Sequence, residues 1–210
     1  MTTDEQAGGN EGVATRRPGR PRDSHRDESI LGATIEILNA EGYKGLTIDG
    51  VAARAGVGRP TIYRRWASKP ELVVAALTNT VHIAIPDVDA GSLRRDLVAM
   101  QRRQIALMNS PESRRITAGL VADLAADPDL AHTYVSQYLT PRRDVVFRVL
   151  QRGVDRGELA PDTDLAFVHD LLVGPLFMRA VVWGQPLTDD TAEKTADVIL
   201  AAFPPAPKSK

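Results

Sequence analysis

The chain has 210 residues, no cysteine and a formal net charge of -1, enough for one modest domain or two small ones, with no call for disulfides or a zinc cluster. Its charge is uneven. Residues 16–70 hold eleven Lys or Arg against six Asp or Glu, while the rest of the chain is mildly acidic, the footprint expected of a protein that touches phosphate with one end only. The cysteine-free composition and the polar opening Met-Thr-Thr-Asp-Glu-Gln fit a reducing cytoplasm. The most apolar stretch, Leu171 to Trp183, is interrupted by Arg179, so no bilayer span and no membrane partner are expected. Four histidines, His25, His82, His132 and His169, lack metal-ligand spacing, and no Gly-rich loop follows a strand; the reading is of a non-enzyme without metal or cofactor.

Residues 1–26 lack helical periodicity and read as a flexible basic arm. Within it, Arg16-Arg17-Pro18-Gly19-Arg20-Pro21-Arg22 resembles an AT-hook, whose Gly-Arg-Pro core lies in a narrow minor groove, where negative potential attracts arginine. Arg20 and Arg22 are its candidate DNA contacts.

A first helix carries Ile30, Ala33, Ile37 and Leu38 at helical spacing and stops at Gly42, with Tyr43 folding back onto Leu38. Thr47 then caps a short helix whose apolar stripe is Ile48, Val51, Ala52 and Ala55, small enough for a second helix to cross closely. Gly56 supplies a left-handed stop and Val57 its apolar partner. In the next helix Pro60 sits in the first turn, Ile62 and Trp66 face inward, and Arg59, Pro60, Tyr63 and Arg64 face outward. Arginine can form two parallel hydrogen bonds to a guanine edge and tyrosine can reach a phosphate. A capped small-residue helix, a glycine turn and a basic aromatic helix together make a helix-turn-helix that reads DNA.

On these residues, with Ile30-Leu31-Gly32-Ala33, Glu41-Gly42-Tyr43, Leu46-Thr47-Ile48, Ala55-Gly56-Val57, Thr61-Ile62-Tyr63 and Ser68-Lys69, residues 27–75 resemble the DNA-binding domain of the tetracycline-repressor (TetR) family of bacterial transcription regulators. The resemblance implies that Thr47 touches the DNA backbone, that Arg59, Pro60 and Thr61 approach base edges, and that Tyr63, Arg65 and Lys69 lie near phosphates. Gly58 stands where the family often has serine, removing a possible cap. Arg65 replaces a common histidine and Trp66 a common phenylalanine.

Beyond Pro70 punctuation divides the chain into helices. The expected spans are Glu71–Ile83, Ser92–Asn109, Pro111–Ala126 with Ser110 as cap, a region from Asp127-Pro128 interrupted near Pro141 and ending at Gly157, then Asp164–Trp183 and Thr188–Phe203. The fold class is all-α: an N-terminal three-helix DNA-binding domain at 27–72 and a helical regulatory and dimerisation domain at 73–205. The helix from Asp164 is apolar nearly all round, including Leu172 and Phe177, so it should bury one side in its own domain and the other against a second subunit. Pairing with the last helix across a twofold axis is what the resemblance implies, and a dimer suits a palindromic operator. Arg94, Arg95, Arg102 and Arg103 read as a solvated face, and Asp123, Asp127 and Asp129 as capping residues at a helix junction.

The functional expectation is a homodimeric repressor released from operator DNA by a small molecule. The alternative is a helical architectural DNA binder that senses nothing. Gln104, Met108, Tyr134, Tyr138, Phe147, His169 and Met178 are the candidate ligand contacts, because an effector pocket needs an apolar lining with a few polar groups. Their low charge points to a largely apolar or aromatic effector.

Overall fold

The computed structural model describes residues 22–80 and 87–205. Ten α-helices and two π-helical turns, and no strand, occur among the described residues. Helix α1 (Arg22–Gly45) begins inside the stretch read as a flexible arm. Nothing between Arg22 and Leu31 breaks a helix, and the turn around His25 is held locally: Ser29 Oγ donates to the His25 carbonyl at 2.8 Å. Arg20 lies outside the described residues, as does the side chain of Arg22. Near its end α1 is kinked at Gly42, whose φ of 72° is open to glycine at little cost.

The next three helices are α2 (Ile48–Ala55), α3 (Arg59–Tyr63) and α4 (Lys69–Thr80). Ile30, Leu38, Leu46, Val51 and Ile62 are buried between them, with Trp66 packed at the side. Helix α4 crosses the boundary expected between residues 72 and 73. Its Leu72, Val73 and Ala76 share the same core as α1, and so do Ile116, Leu120 and Leu130 from beyond that boundary.

The body adds α5 (Leu93–Met108), α6 (Pro111–Ala126), α7 (Pro128–Tyr134), α8 (Thr140–Asp155), α9 (Leu165–Phe177) and α10 (Asp189–Ala202). Their starts follow the punctuation. The Ser110 hydroxyl accepts from Ser113 N, Asp127 from Leu130 N, and Asp164 from Ala166 N and Phe167 N, each satisfying an orphaned first-turn donor. A second core joins α5, α8, α9 and α10 through Leu97, Val149, Leu150, Val168 and Ile199. The arginines of α5 are not simply solvated: Arg94 meets Asp197 at 2.7 Å and Arg102 meets Glu193 at 2.9 Å, tying α5 to α10.

No interruption occurs near Pro141. Helix α7 passes through a π turn, Val135–Leu139, straight into α8. The hydrogen-bond ladder changes register there, with Thr140 N donating to the Val135 carbonyl, so the N–H that Pro141 lacks falls in the first turn after the change. A second π turn, Met178–Val182, extends α9 just after Pro175.

Together they form an 18-residue segment, Leu165–Val182, of mean hydropathy 1.7, long and apolar enough by length and composition to cross a bilayer, contrary to the expectation drawn from Arg179. Three faces of this segment account for it. Val168, Leu172, Leu176 and Ala180 are buried in the core; His169, Val173, Phe177 and Val181 line a cavity; Phe167, Gly174, Met178 and Val182 are exposed. Leu172 therefore falls on the side of this helix buried in its own domain, and Phe177 faces the cavity.

Candidate DNA interface and effector cavity

The turn between α2 and α3 is fixed by short-range chemistry. Thr47 Oγ1 accepts from Gly50 N at 3.0 Å. At the other end Gly56 adopts φ 65°, and Val57 N reaches the Ala52 carbonyl at 3.0 Å, the double closure of a left-handed helix stop. Gly58 then precedes α3 without a side-chain cap, as its missing hydroxyl predicts. With Ile62 fully buried, the opposite side of this five-residue helix turns outward. Arg59, Pro60 and Arg64 are exposed, Tyr63 is 45% exposed, and Thr61 is half-buried. Arg59 lies 3.1 Å from Asp49 and 6.0 Å from the Tyr63 ring centre. Hydrogen bonding to Tyr63 and the Asp49 charge both favour its charged form.

Two residues expected near phosphates make contacts within the protein. The Arg65 guanidinium pairs with Asp27 of α1, leaving its side chain only 17% exposed. The Lys69 ammonium sits 4.0 Å from the centre of the Tyr43 ring. Burial lowers the lysine's pKa, opposed by the charges of Asp123 and Asp127. Both contacts have a physical reason: Arg65, just past α3, reaches an acid of its own domain, and Lys69, at the start of α4, reaches an aromatic face of its own domain. Tyr43 completes this cluster, its hydroxyl donating to Asp127 Oδ2 at 3.0 Å. The kinked end of α1 and the start of α4 are thus joined to the α6–α7 junction. Asp127 is held below the usual carboxylate range by the Leu130 amide first and by Tyr43 less strongly.

Between the two cores lies a cavity of about 570 Å³, within the range of small-molecule sites. Of the seven candidate contacts, Gln104, Met108, Tyr134, Tyr138 and His169 line it. Met178 does not: at 41% exposed it lies on the outer stripe of α9. Phe147 stands behind the wall, edge-on to His169 with ring centres 6.1 Å apart. Ile35 of α1 and Leu77 of α4 also belong to the lining, so the DNA-binding helices form part of the wall. The exposed apolar side chains of Val121, Val135 and Leu139 also belong to it.

The sequence reading missed the charge of this lining, which includes Arg114, Arg142 and Arg143 alongside Glu112 and Asp170. The expectation of a low-charge pocket is corrected accordingly. The spacing Tyr134, Tyr138, Arg142 was a usable signal, since residues four apart on a helix are neighbours. The two tyrosine rings stack at 4.9 Å with planes 20° apart, and the Arg142 guanidinium carbon lies 3.7 Å from the Tyr138 ring centre. Burial raises the pKa of both phenols, so they remain neutral hydrogen-bond donors well above neutral pH.

A capped helix, a glycine turn and an outward basic helix, mounted on a helical body with a cavity against its base, define a DNA-binding protein of the helix-turn-helix class. Residues 30–76 match the family model described as bacterial regulatory proteins, tetR family, and residues 87–199 match the tetracyclin repressor-like C-terminal domain. The DNA-binding transcriptional repressor TetR of Mycobacteroides abscessus is 31% identical over 183 residues, covering 85% of this chain and 94% of that protein. The crystal structure of the TetR family transcription regulator SCO0332 superposes with a TM-score of 0.70 at 28% identity, covering 86% of this chain and all of that one. The Bacillus subtilis regulator FadR, solved in complex with stearoyl-CoA, shares the fold at 14% identity and a TM-score of 0.67, covering 84% of this chain and 98% of that one. The chain belongs to the TetR family and is a DNA-binding transcriptional regulator.

Proposed function

We propose that the protein is a homodimeric repressor whose hold on a palindromic operator is released by a small molecule in the cavity. The observation that carries this reading is that Ile35 and Leu77, from α1 and α4, share the cavity wall with α5, α6 and α9. An occupant that changes the spacing of these walls acts directly on the helices that carry α2 and α3. It can release DNA only by binding the DNA-incompetent arrangement more tightly than the competent one, and α4 is the covalent lever for that shift. Thr47, Arg59, Pro60, Thr61, Tyr63 and Arg64 meet DNA in this reading, with Arg20 and Arg22 in the adjacent minor groove. The functional division is a DNA-reading unit through residue 66, α4 as the link, and a regulatory and dimerising body up to residue 205.

The second copy seats on the outer stripe of α9 together with α10, where Phe167, Met178, Val182 and Val198 are exposed apolar residues. Leaving them in water is costly, and a twofold partner offers the same surface in return.

The test is to select genomic fragments with the purified protein, footprint the bound site, and screen compounds for operator release. A short palindrome is expected, released by a compound that also raises thermal stability. Thr117→Trp, which fills the cavity, should keep operator binding and lose release. Unspecific coating of DNA, or full release in Thr117→Trp, overturns the proposal.

A further inference from the structure

Three arginines on the cavity wall, Arg114, Arg142 and Arg143, have no carboxylate partner among the described residues. Arg142 has one weak backbone contact, its Nη1 donating to the Tyr138 carbonyl at 3.4 Å, and otherwise rests on the Tyr138 ring. Arg143 lies over Phe147 at 5.4 Å. Among the described residues no carboxylate pairs with Arg114, Arg142 or Arg143, and none accepts from the Tyr134 or Tyr138 hydroxyl. The two acids of the lining have contacts of their own. Glu112 accepts from Asn39 Nδ2 at 3.5 Å, and Asp170 lies 3.4 Å from His169 Nδ1. Elsewhere in this protein arginines take acids readily: Arg94, Arg102, Arg148, Arg152 and Arg156 each have one within 3.1 Å. Arg95, Arg103 and Arg179 also lack an acid among the described residues; what sets the cavity arginines apart is that they line an apolar cavity, with Arg142 resting on a tyrosine ring.

From this we infer that the cavity binds an organic acid, a carboxylate on an aromatic or aliphatic body, with Arg142 taking the carboxylate and the more exposed Arg143 adding positive charge at the rim. The inference rests on the reading of the cavity as the effector site and names the class of effector. A planar guanidinium matches a carboxylate with two parallel N–H donors, a geometry that no neutral ligand exploits as well. Stacking on Tyr138 holds the guanidinium of Arg142 in place before the ligand arrives, so less side-chain freedom is lost on binding. The neutral phenols of Tyr134 and Tyr138 add donors where an anion needs them. The remaining lining, including Leu120, Leu124, Met100 and Val146, suits the apolar body of the acid.

Two matched pairs test this on the full chain by titration calorimetry: 2-naphthoate against 2-naphthamide, and decanoate against decanamide. Each amide keeps the shape of its acid and removes the charge. The acid of at least one pair should bind about tenfold tighter than its amide, the scale of one hydrogen bond to a charged group. In Arg142→Gln/Arg143→Gln that acid should fall to the level of its amide measured on the same variant, with a cooperative thermal transition retained. Thr117→Trp should abolish binding of both members.

If acids and amides bind alike, or if the acid preference survives the double substitution, the organic-acid assignment is overturned while the effector cavity stands. If no probe binds, or if binding persists in Thr117→Trp, the cavity reading falls and the assignment with it.

Discussion

The DNA-reading turn and the cavity are built on opposite principles. Everything that shapes the turn lies within the twenty residues from Thr47 to Trp66: a hydroxyl cap, a left-handed glycine, a proline in a first turn and one buried isoleucine. The cavity instead draws Ile35, Leu77, Gln104, Leu120, Tyr138 and His169 from six helical segments, and no single stretch of sequence defines it. A local motif can be tuned one residue at a time. A cavity of this kind responds to changes in packing anywhere around it, which suits a site that must alter the spacing of distant helices.

The largest expected effect probes the packing side of this contrast. Leu172→Glu places a carboxylate on the buried stripe of α9, costing about 3 kcal/mol or more, and the protein should lose its cooperative thermal transition. Met178→Glu, six residues on but on the exposed stripe, should keep that transition and sediment as a monomer with operator binding lost. A Met178→Glu protein that stays a dimer moves the interface away from α9. A Leu172→Glu protein that stays folded shows that the core stripe is misassigned.

Next comes the reader. Arg59→Ala should weaken operator binding roughly tenfold to a hundredfold while affecting random DNA less, because a base-edge contact is lost and Asp49 keeps no partner there. Equal losses on both DNAs, measured by competition at fixed salt, would make Arg59 a phosphate contact.

Lys69→Ala sharpens the boundary between the two regions. The resemblance to the family put Lys69 at the DNA backbone, but its ammonium lies over Tyr43, beside the junction with the body. The substitution should cost about 0.5–1 kcal/mol of stability, the size of a part-exposed cation–π contact, and leave the salt dependence of DNA binding unchanged. A salt slope lower by about one unit would return Lys69 to the phosphates.

How far each region was legible in the sequence follows from the same contrast. Helix starts were readable because Ser110-Pro111, Asp127-Pro128 and Asp164 write their caps into consecutive residues. The π turns were not, since a change from i+4 to i+5 hydrogen bonding leaves no mark in hydrophobic spacing, and Pro141 looked like a break. Five cavity residues, Gln104, Met108, Tyr134, Tyr138 and His169, were recognisable as polar, aromatic or thioether side chains on helices of the body. Phe147 and Met178 have the same character, and only the rotation of α8 and α9 separates them from the lining. Arg142 was passed over because arginine in a sequence reads as surface, whereas its stem and guanidinium are held on Tyr138.

The smallest effect concerns Tyr43, the hydroxyl that joins the two regions. Burial raises its pKa most, with the hydrogen bond to Asp127 and the charges of Asp127, Asp123 and Asp129 adding to the shift. The folded protein therefore keeps this proton at pH values where an unfolded tyrosine, with its ordinary pKa near 10, has released it. The unfolded state binds fewer protons, so stability falls as pH rises above about 10 and is fully present below it. Tyr134 and Tyr138 are shifted in the same direction and contribute to the same decline. Tyr43→Phe removes one of the three, so the loss of thermal stability between about pH 10 and pH 11 should be shallower than in the unaltered protein. At neutral pH the same variant loses only the bond to Asp127, and that loss should show in the coupling between the regions: operator release should require a different effector concentration while operator affinity without effector changes little. An alkaline decline of unchanged steepness would mean that the Tyr43 phenol is not held neutral by the fold, and the link between the α1 kink and the α6–α7 junction would have to rest on Lys69 and packing alone.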